Sequence, residues 1–376
     1  MKKFSVLAIW GCFLAGGCGM SAVSRWVNQP FQAIDLPLIS LSPQRLAKVG
    51  FTTENLELTE NLLNYNINNY FAPYLLWQFT ENLLLPKIIE GKEQINHHQL
   101  INLINATTAE VEEIGDISKF EQIMQNAQRE NLSDRPMSEI IQKVAQEFLG
   151  TKYKANLLDG SSREKLVVSF EELDCVLFVE TVLAIARGIA LQDHSYQTFI
   201  NHLQNQRYRN GELPEYCRRL HYFSDWILDN QNRGNVQNIS LDLGGISQNK
   251  MLNFMSKNRQ RYPLMVNNDA NYQCIVDRQS ELAEVAINYI PKHRINRVYS
   301  QLQPGDIIAV VTNISGLDFT HTGLVYRRTN GRVGFIHASP AGTVTTARDL
   351  QRYVRNVKNS MGVVVVRAID PRHLQP

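Results

Sequence analysis

The sequence predicts an α+β protein, with a helical first part and an antiparallel β-meander in its last third. Three observations carry this. From Thr52 to about Asn126 apolar residues recur at three- and four-residue steps. The run FEELDCVLFVETVLAIARGIAL at 170–191 is apolar at most positions and reads as a helix buried on most of its circumference. After residue 305 short segments rich in β-branched residues replace the helical period. Helices first and strands afterwards indicate α+β rather than alternating α/β.

At 376 residues the chain exceeds the usual single-domain size, and its 44% hydrophobic and 20% charged residues are ordinary for a soluble globular protein. The net charge is +2, and without Lys2 and Lys3 the basic and acidic counts balance. With no basic block and no RNA-binding signature, nucleic acid is not an expected partner. No apolar stretch reaches the roughly 18 residues that would span a bilayer.

Met1-Lys2-Lys3, the apolar run Phe4 to Ala15 and the small residues Ala15-Gly16-Gly17 have the form of a secretory signal. The segment resembles the bacterial lipoprotein type, which implies lipidation at Cys18, an exported protein of the periplasm or cell envelope, and a membrane anchor. Alanine rather than leucine three places before Cys18 departs from that pattern. The expected organisation is a signal peptide at 1–18, a helical extension at 19–118 and a main domain at 119–376. Pro30, Pro37 and Pro43 mark an irregular lead-in. The helical text that follows carries no chemistry-bearing cluster, and His97-His98 read as a solvated face.

SEIIQKVAQEFLG ends in Gly150 and reads as a helix; Thr151-Lys152-Tyr153 leads on towards the 170–191 segment. There Asp174 occupies an N-cap position, which puts Cys175 in the first helical turn. Unpaired N–H groups and the helix dipole favour an anion at that place, so the expectation is a thiol that ionises easily and acts as a nucleophile. The competing reading is an inert core cysteine. The remaining cysteines, Cys12, Cys18, Cys217 and Cys274, form no C-x-x-C. Cys217 and Cys274 can pair in an oxidising compartment, but sequence does not give their distance.

Residues 191–300 are largely polar. Within them RLHYFSDWILDN is either an amphipathic helix with Trp226 packed inward or a source of ligand contacts from His221 and Asp225. Pro304-Gly305 then signals a turn, and 306–312, 321–326, 333–338 and 361–367 read as strands. Asn330-Gly331 marks a hairpin. If its strands pair, His321 and His337 fall on antiparallel neighbours. A cysteine nucleophile needs a base, and the base needs an orienting partner. Taken singly, each histidine is as readily structural. A Cys175–His321–His337 metal site is a further alternative, though it lacks close ligand pairs.

FLGTKY at 148–153, EKLVVSFEELDCVLFVETVLAIARG at 164–188, RLHYFSDWI at 219–227, PGDIIAVVTNISGLDFTHTGLVY at 304–326 and FIHASP at 335–340 occur in the order that resembles the papain-like NlpC/p60 peptidoglycan hydrolases, in their N-acetylmuramoyl-L-alanine amidase-like branch. The resemblance covers residue 120 or so to the C-terminus. It implies a cysteine-bearing helix packed on an antiparallel meander or barrel, with Cys175 as nucleophile, His321 as base and His337 orienting it. It also implies Tyr153 beside the cysteine as a substrate contact, and no cofactor or metal. Lys152 and Leu177 depart from the proline and threonine usual in that family. The implied reaction is cleavage of the amide between N-acetylmuramic acid and L-alanine in peptidoglycan or muropeptides. The rivals are a γ-D-glutamyl endopeptidase of the same fold and a non-catalytic wall-binding lipoprotein.

Overall fold

The structure, a computed structural model, describes residues 111–115 and 117–373. They fall in the second of the two units into which the chain divides, 107–376. The signal segment, Cys12, Cys18, His97-His98 and most of the helical extension lie outside the described residues.

Two amphipathic helices come early, α1 (Ser118–Arg129) and α2 (Met137–Glu147). Phe120, Ile123, Met124 and Ala127 form the buried stripe of α1, and Ile140, Ile141 and Val144 that of α2. The central helix α3 (Cys175–Ala190) is buried on nearly every side, as its apolar run requires. Its one buried carboxylate, Glu180, is neutralised in place: Arg207 donates to it at 2.7 Å and the Trp226 indole at 3.1 Å. Further helices are α4 (Tyr196–Arg207), α5 (Phe223–Asn232), α6 (Asp269–Leu282) and α7 (Leu350–Asn356).

Twelve strands are described, in order β1 (Val111–Ile114), β2 (Lys152–Tyr153), β3 (Leu166–Ser169), β4 (Glu172–Leu173), β5 (Val236–Asn238), β6 (Ile246–Gln248), β7 (Ile287–Pro291), β8 (Ile307–Thr312), β9 (Phe319–Arg327), β10 (Val333–Ala338), β11 (Val344–Ala347) and β12 (Ser360–Ala368). The main sheet is antiparallel and runs β11-β10-β9-β8-β12-β7-β6, with β5 also on β12. β8 to β10 form the expected meander, which β11 extends, and the Asn330-Gly331 turn joins β9 to β10. Residues 111–114, which read as helix, are instead a strand paired in parallel with β3. The mechanism is tertiary: β3 offers an open edge, and the β-branched ends of Val-Glu-Glu-Ile fit it.

Both faces of the sheet are covered, which explains why β8 and β12 are unbroken apolar runs. Ala309, Leu324, Ile336 and Val364 face the core under α3, while Val310, Val325, Phe335 and Val363 face a second core closed by Leu350 and Val354 of α7. A third core gathers Tyr216, Tyr222, Met255, Met265, Ile275 and Leu282. There Cys217 and Cys274 form a disulfide across 57 residues, the pairing that sequence left open.

Candidate active site

The site begins at the N-terminus of α3. Asp174 is in extended conformation and its carboxylate accepts from the N–H groups of Val176 at 2.9 Å and Leu177 at 2.8 Å, as an N-cap should. The next residue is Cys175, part-buried and the free cysteine among the described residues. Its thiol does not ionise easily. Burial pushes it up to about 12 and the Asp174 carboxylate adds to that, against smaller help from the N–H groups of Thr322, Cys175 and Val176. The expectation of an acidified thiol is thus corrected: desolvation outweighs the helix terminus. Asp174 itself is raised to about 6, chiefly by burial and further by Glu180.

The histidines come from β9 and β10. Pairing of these strands runs from Arg327↔Val333 to Leu324↔Ile336 and stops there. Just beyond the last pair is Thr322, whose backbone N–H favours the Cys175 thiolate. On the α7 face, His321 Nε2 and His337 Nδ1 are 2.8 Å apart in a hydrogen bond, with the rings perpendicular. One proton lies between these two nitrogens, and whichever ring donates, the other accepts. Both rings are neutral at physiological pH: burial, then the neighbouring His337, takes His321 down to about 3, and burial takes His337 down to about 4 despite the Ala338 backbone.

Gly323 makes room for this. A Cβ there would stand 2.7 Å from His337 Cβ and 2.6 Å from Phe335 Cζ, so the strand can pass under the imidazole only without a side chain. The approach to His321 is fixed from a distance as well. Buried Asp318 accepts from Ser224 N and Oγ, both at 2.8 Å, and from Phe319 N at 2.8 Å. This carboxylate clamps the start of α5 to the start of β9 and explains why the 219–227 and 304–326 stretches belong together.

Tyr153 is beside the cysteine. β2 pairs in parallel with β4, which runs straight into Asp174, and the Tyr153 N–H donates to Gly342 O at 2.7 Å. Burial, then the nearby thiol and Asp174, push its phenol up to about 12. Lys152 is exposed and Leu177 is core, so the two departures in the sequence lie outside the histidine pair.

His221 and Asp225 are elsewhere and occupied. His221 Nε2 is 2.7 Å from Tyr216 O, and burial drives its pKa far down. Asp225 is 1% exposed and is held by Arg209, at 2.6 and 3.2 Å, and by Arg278. No carboxylate oxygen is left over for a substrate, so the substrate contact expected of this residue is replaced by an ion-pair role. Trp226 is 1% exposed and stacks on Phe223 at 5.0 Å, the packing reading. Among the described residues no group of three or more His, Cys, Asp or Glu side chains is placed to hold a metal ion.

Residues 143–363 match the model of the AmiA-like family, N-acetylmuramoyl-L-alanine amidase-like proteins. The chain belongs to this family. It is thereby an amidase-like hydrolase of the peptidoglycan-acting kind. Two crystal structures of an N-acetylmuramoyl-L-alanine amidase from Bacteroides uniformis are similar to it, at 28% and 27% identity with TM-scores of 0.58 and 0.59. Each covers 62% of this chain and 98% or 99% of the amidase. A Legionella pneumophila protein of the DUF1460 family, 21% identical with a TM-score of 0.52 over 67% of this chain and 95% of its own, shares the fold. No curated protein matches the sequence. These findings correct the NlpC/p60 assignment. The matching family is the amidase-like one, one fold neighbour is of the DUF1460 family, and nothing ties the chain to the papain-like superfamily. What the motifs had in common with that superfamily is local: a cysteine at a helix start and two histidines on a hairpin.

Proposed function

We propose that this amidase-like chain cleaves the amide between N-acetylmuramic acid and L-alanine, with the Cys175 thiol as nucleophile, His321 as base and His337 as its orienting partner. The observation that carries the reading is the 2.8 Å hydrogen bond between the two imidazoles, one residue from Thr322, whose N–H favours the Cys175 thiolate. A thiol raised to about 12 and an imidazole lowered to about 3 make no ready-made ion pair. His321 therefore takes the proton as sulfur attacks the carbonyl, as a general base does.

The productive tautomer follows. His321 donates from Nε2 to His337 Nδ1, which leaves His321 Nδ1 with a lone pair for the thiol proton. The S–C bond forms, the carbonyl oxygen takes the negative charge, and the N–H of Cys175, unused by any helical partner at the first turn, is a donor to it. Tyr153, with its phenol held protonated, is a second donor from the facing wall. Collapse expels the L-alanine nitrogen, which takes the proton from His321. Water then attacks the thioester with His321 as base again, releasing the muramoyl lactyl carboxylate and restoring the thiol.

The disulfide favours an oxidising compartment and so supports export through the 1–18 segment. Lipidation at Cys18 and the boundary at 118 belong to the same proposal. Mass spectrometry of a defined anhydro-muropeptide after incubation with the full chain tests the bond choice. An intact stem peptide freed from the sugar is the expected product; a cut within the stem contradicts the reading.

A further inference from the structure

No motif in the sequence points to Tyr353, yet it stands over the histidine pair. It lies in the middle of α7, and its ring centroid is 4.6 Å from His337, 4.9 Å from Phe335 and 6.1 Å from His321. Phe335 stacks on His337 at 4.8 Å, so the three rings form one cluster in which the imidazole has little freedom to turn. The support is rigid. Asp349 caps α7 by accepting from Arg352 N at 2.7 Å, the Tyr299 hydroxyl accepts from Gln351 N at 2.8 Å, and Gln351 Nε2 donates to Lys292 O at 3.0 Å. Leu350 and Val354, on either side of Tyr353, are fully buried in the second core. Among the described residues the Tyr353 hydroxyl has no hydrogen bond; what touches His337 is the ring.

We propose that Tyr353 is a positioning residue whose ring fixes the rotation of the His337 imidazole, so that Nδ1 meets His321 Nε2, and keeps water from it. This rests on the reading of His321 as the base. An imidazole free to rotate would lose the 2.8 Å contact and leave His321 without its tautomer. Among the described residues the titratable side chain in contact with the two imidazoles is Tyr353 of α7, whose phenol also feels the Cys175 thiol. Val310 and Thr345, the cross-strand neighbours on β8 and β11, carry no charge.

The test uses the full chain with ¹⁵N-labelled histidine, as wild type, Tyr353→Phe and Tyr353→Ala. Ring titrations by NMR and steady-state kinetics on the muropeptide are measured on each. In Tyr353→Ala the His337 ring is expected to titrate well above where it does in wild type, towards the ordinary ~6.5. The acid limb of the rate profile moves to higher pH with it, and kcat falls on the order of 100-fold with KM little changed. Tyr353→Phe keeps the ring and restores both. Where Tyr353→Ala does not fold, Tyr353→Leu, which keeps apolar bulk without a planar ring, takes its place. A folded variant whose His337 titrates as in wild type overturns the proposal, as does a Tyr353→Phe loss equal to that of Tyr353→Ala. If wild type hydrolyses no muropeptide, the amidase reading fails, while the NMR titration still decides the role of Tyr353.

Discussion

Adding one methyl group at Gly323 separates the site's geometry from its chemistry. In Gly323→Ala the new Cβ would lie 2.7 Å from His337 Cβ and 2.7 Å from Ile336 O, with Phe335 Cζ at 2.6 Å. Ordinary contact begins at about 3.5 Å, so something must move by nearly an ångström. Phe335 and Ile336 are fully buried in the middle of β10, and Ile336 is in register with Leu324, so neither can yield far. His337 lies past the last β9 pair and is held from the other side by Thr345 of β11, so the strain falls on its unpaired β9 side, where His321 stands. A displacement of that size takes the His321–His337 contact from 2.8 Å beyond hydrogen-bonding range. Overpacking costs about 1–3 kcal/mol, and misplacing the orienting partner costs kcat on the order of 100-fold. The assay pairs urea unfolding with kcat on a defined muropeptide. A Gly323→Ala protein that is destabilised yet turns over at the wild-type rate would refute the argument that His337 acts through its position.

Three further outcomes follow from the same structure. Replacing Cys217 and Cys274 together by serine should cost about 4 kcal/mol, the loop-closure value for a bridge across 57 residues, and reductant should lower the wild type by the same amount in urea unfolding. Because both imidazoles are held below their ordinary value, the unfolded chain binds protons that the folded one does not as pH falls from ~6.5 towards 3–4. Stability is full above that window and lost on acidification through it, by a few kcal/mol at roughly 1.4 kcal/mol per unit. Unfolding curves at pH 7 and pH 5 check this, and His321→Gln with His337→Asn should flatten the difference. Asp174→Asn keeps a capping side chain but removes the charge that raises the thiol, so iodoacetamide should label Cys175 faster than in wild type at pH 8 with little change in Tm. Equal labelling rates would contradict the electrostatic role given to Asp174.

Much of the fold was legible because local signals and tertiary burial agree. Strand β10 has the bounds the sequence predicts, and α3 starts one residue after the Asp174 cap. The histidine pair was legible because a hairpin signal fixed which strands are neighbours. What sequence missed depends on distant partners. β7 and β11 are short, and they exist because β12 and β10 offer them edges. Residues 111–114 look helical until β3 is there to pair with. Tyr353 sits on a seven-residue helix with no strong period, so only packing reveals that it reaches His337. The thiol was misjudged for a related reason: a helix N-terminus is visible in sequence, but the depth at which it is buried is not. His221 and Asp225 drew attention as polar residues beside an aromatic one, while Tyr216 and the arginines that engage them are up to 53 residues away in sequence.

The most direct test of the central claim is kcat on a defined anhydro-muropeptide for wild type, Cys175→Ala and His321→Ala, each shown to be folded by its unfolding curve. Loss of turnover in both variants, with free stem peptide produced only by wild type, is the result expected of a thiol nucleophile and its base. Turnover that persists in folded Cys175→Ala would contradict it and move the chemistry away from the α3 terminus.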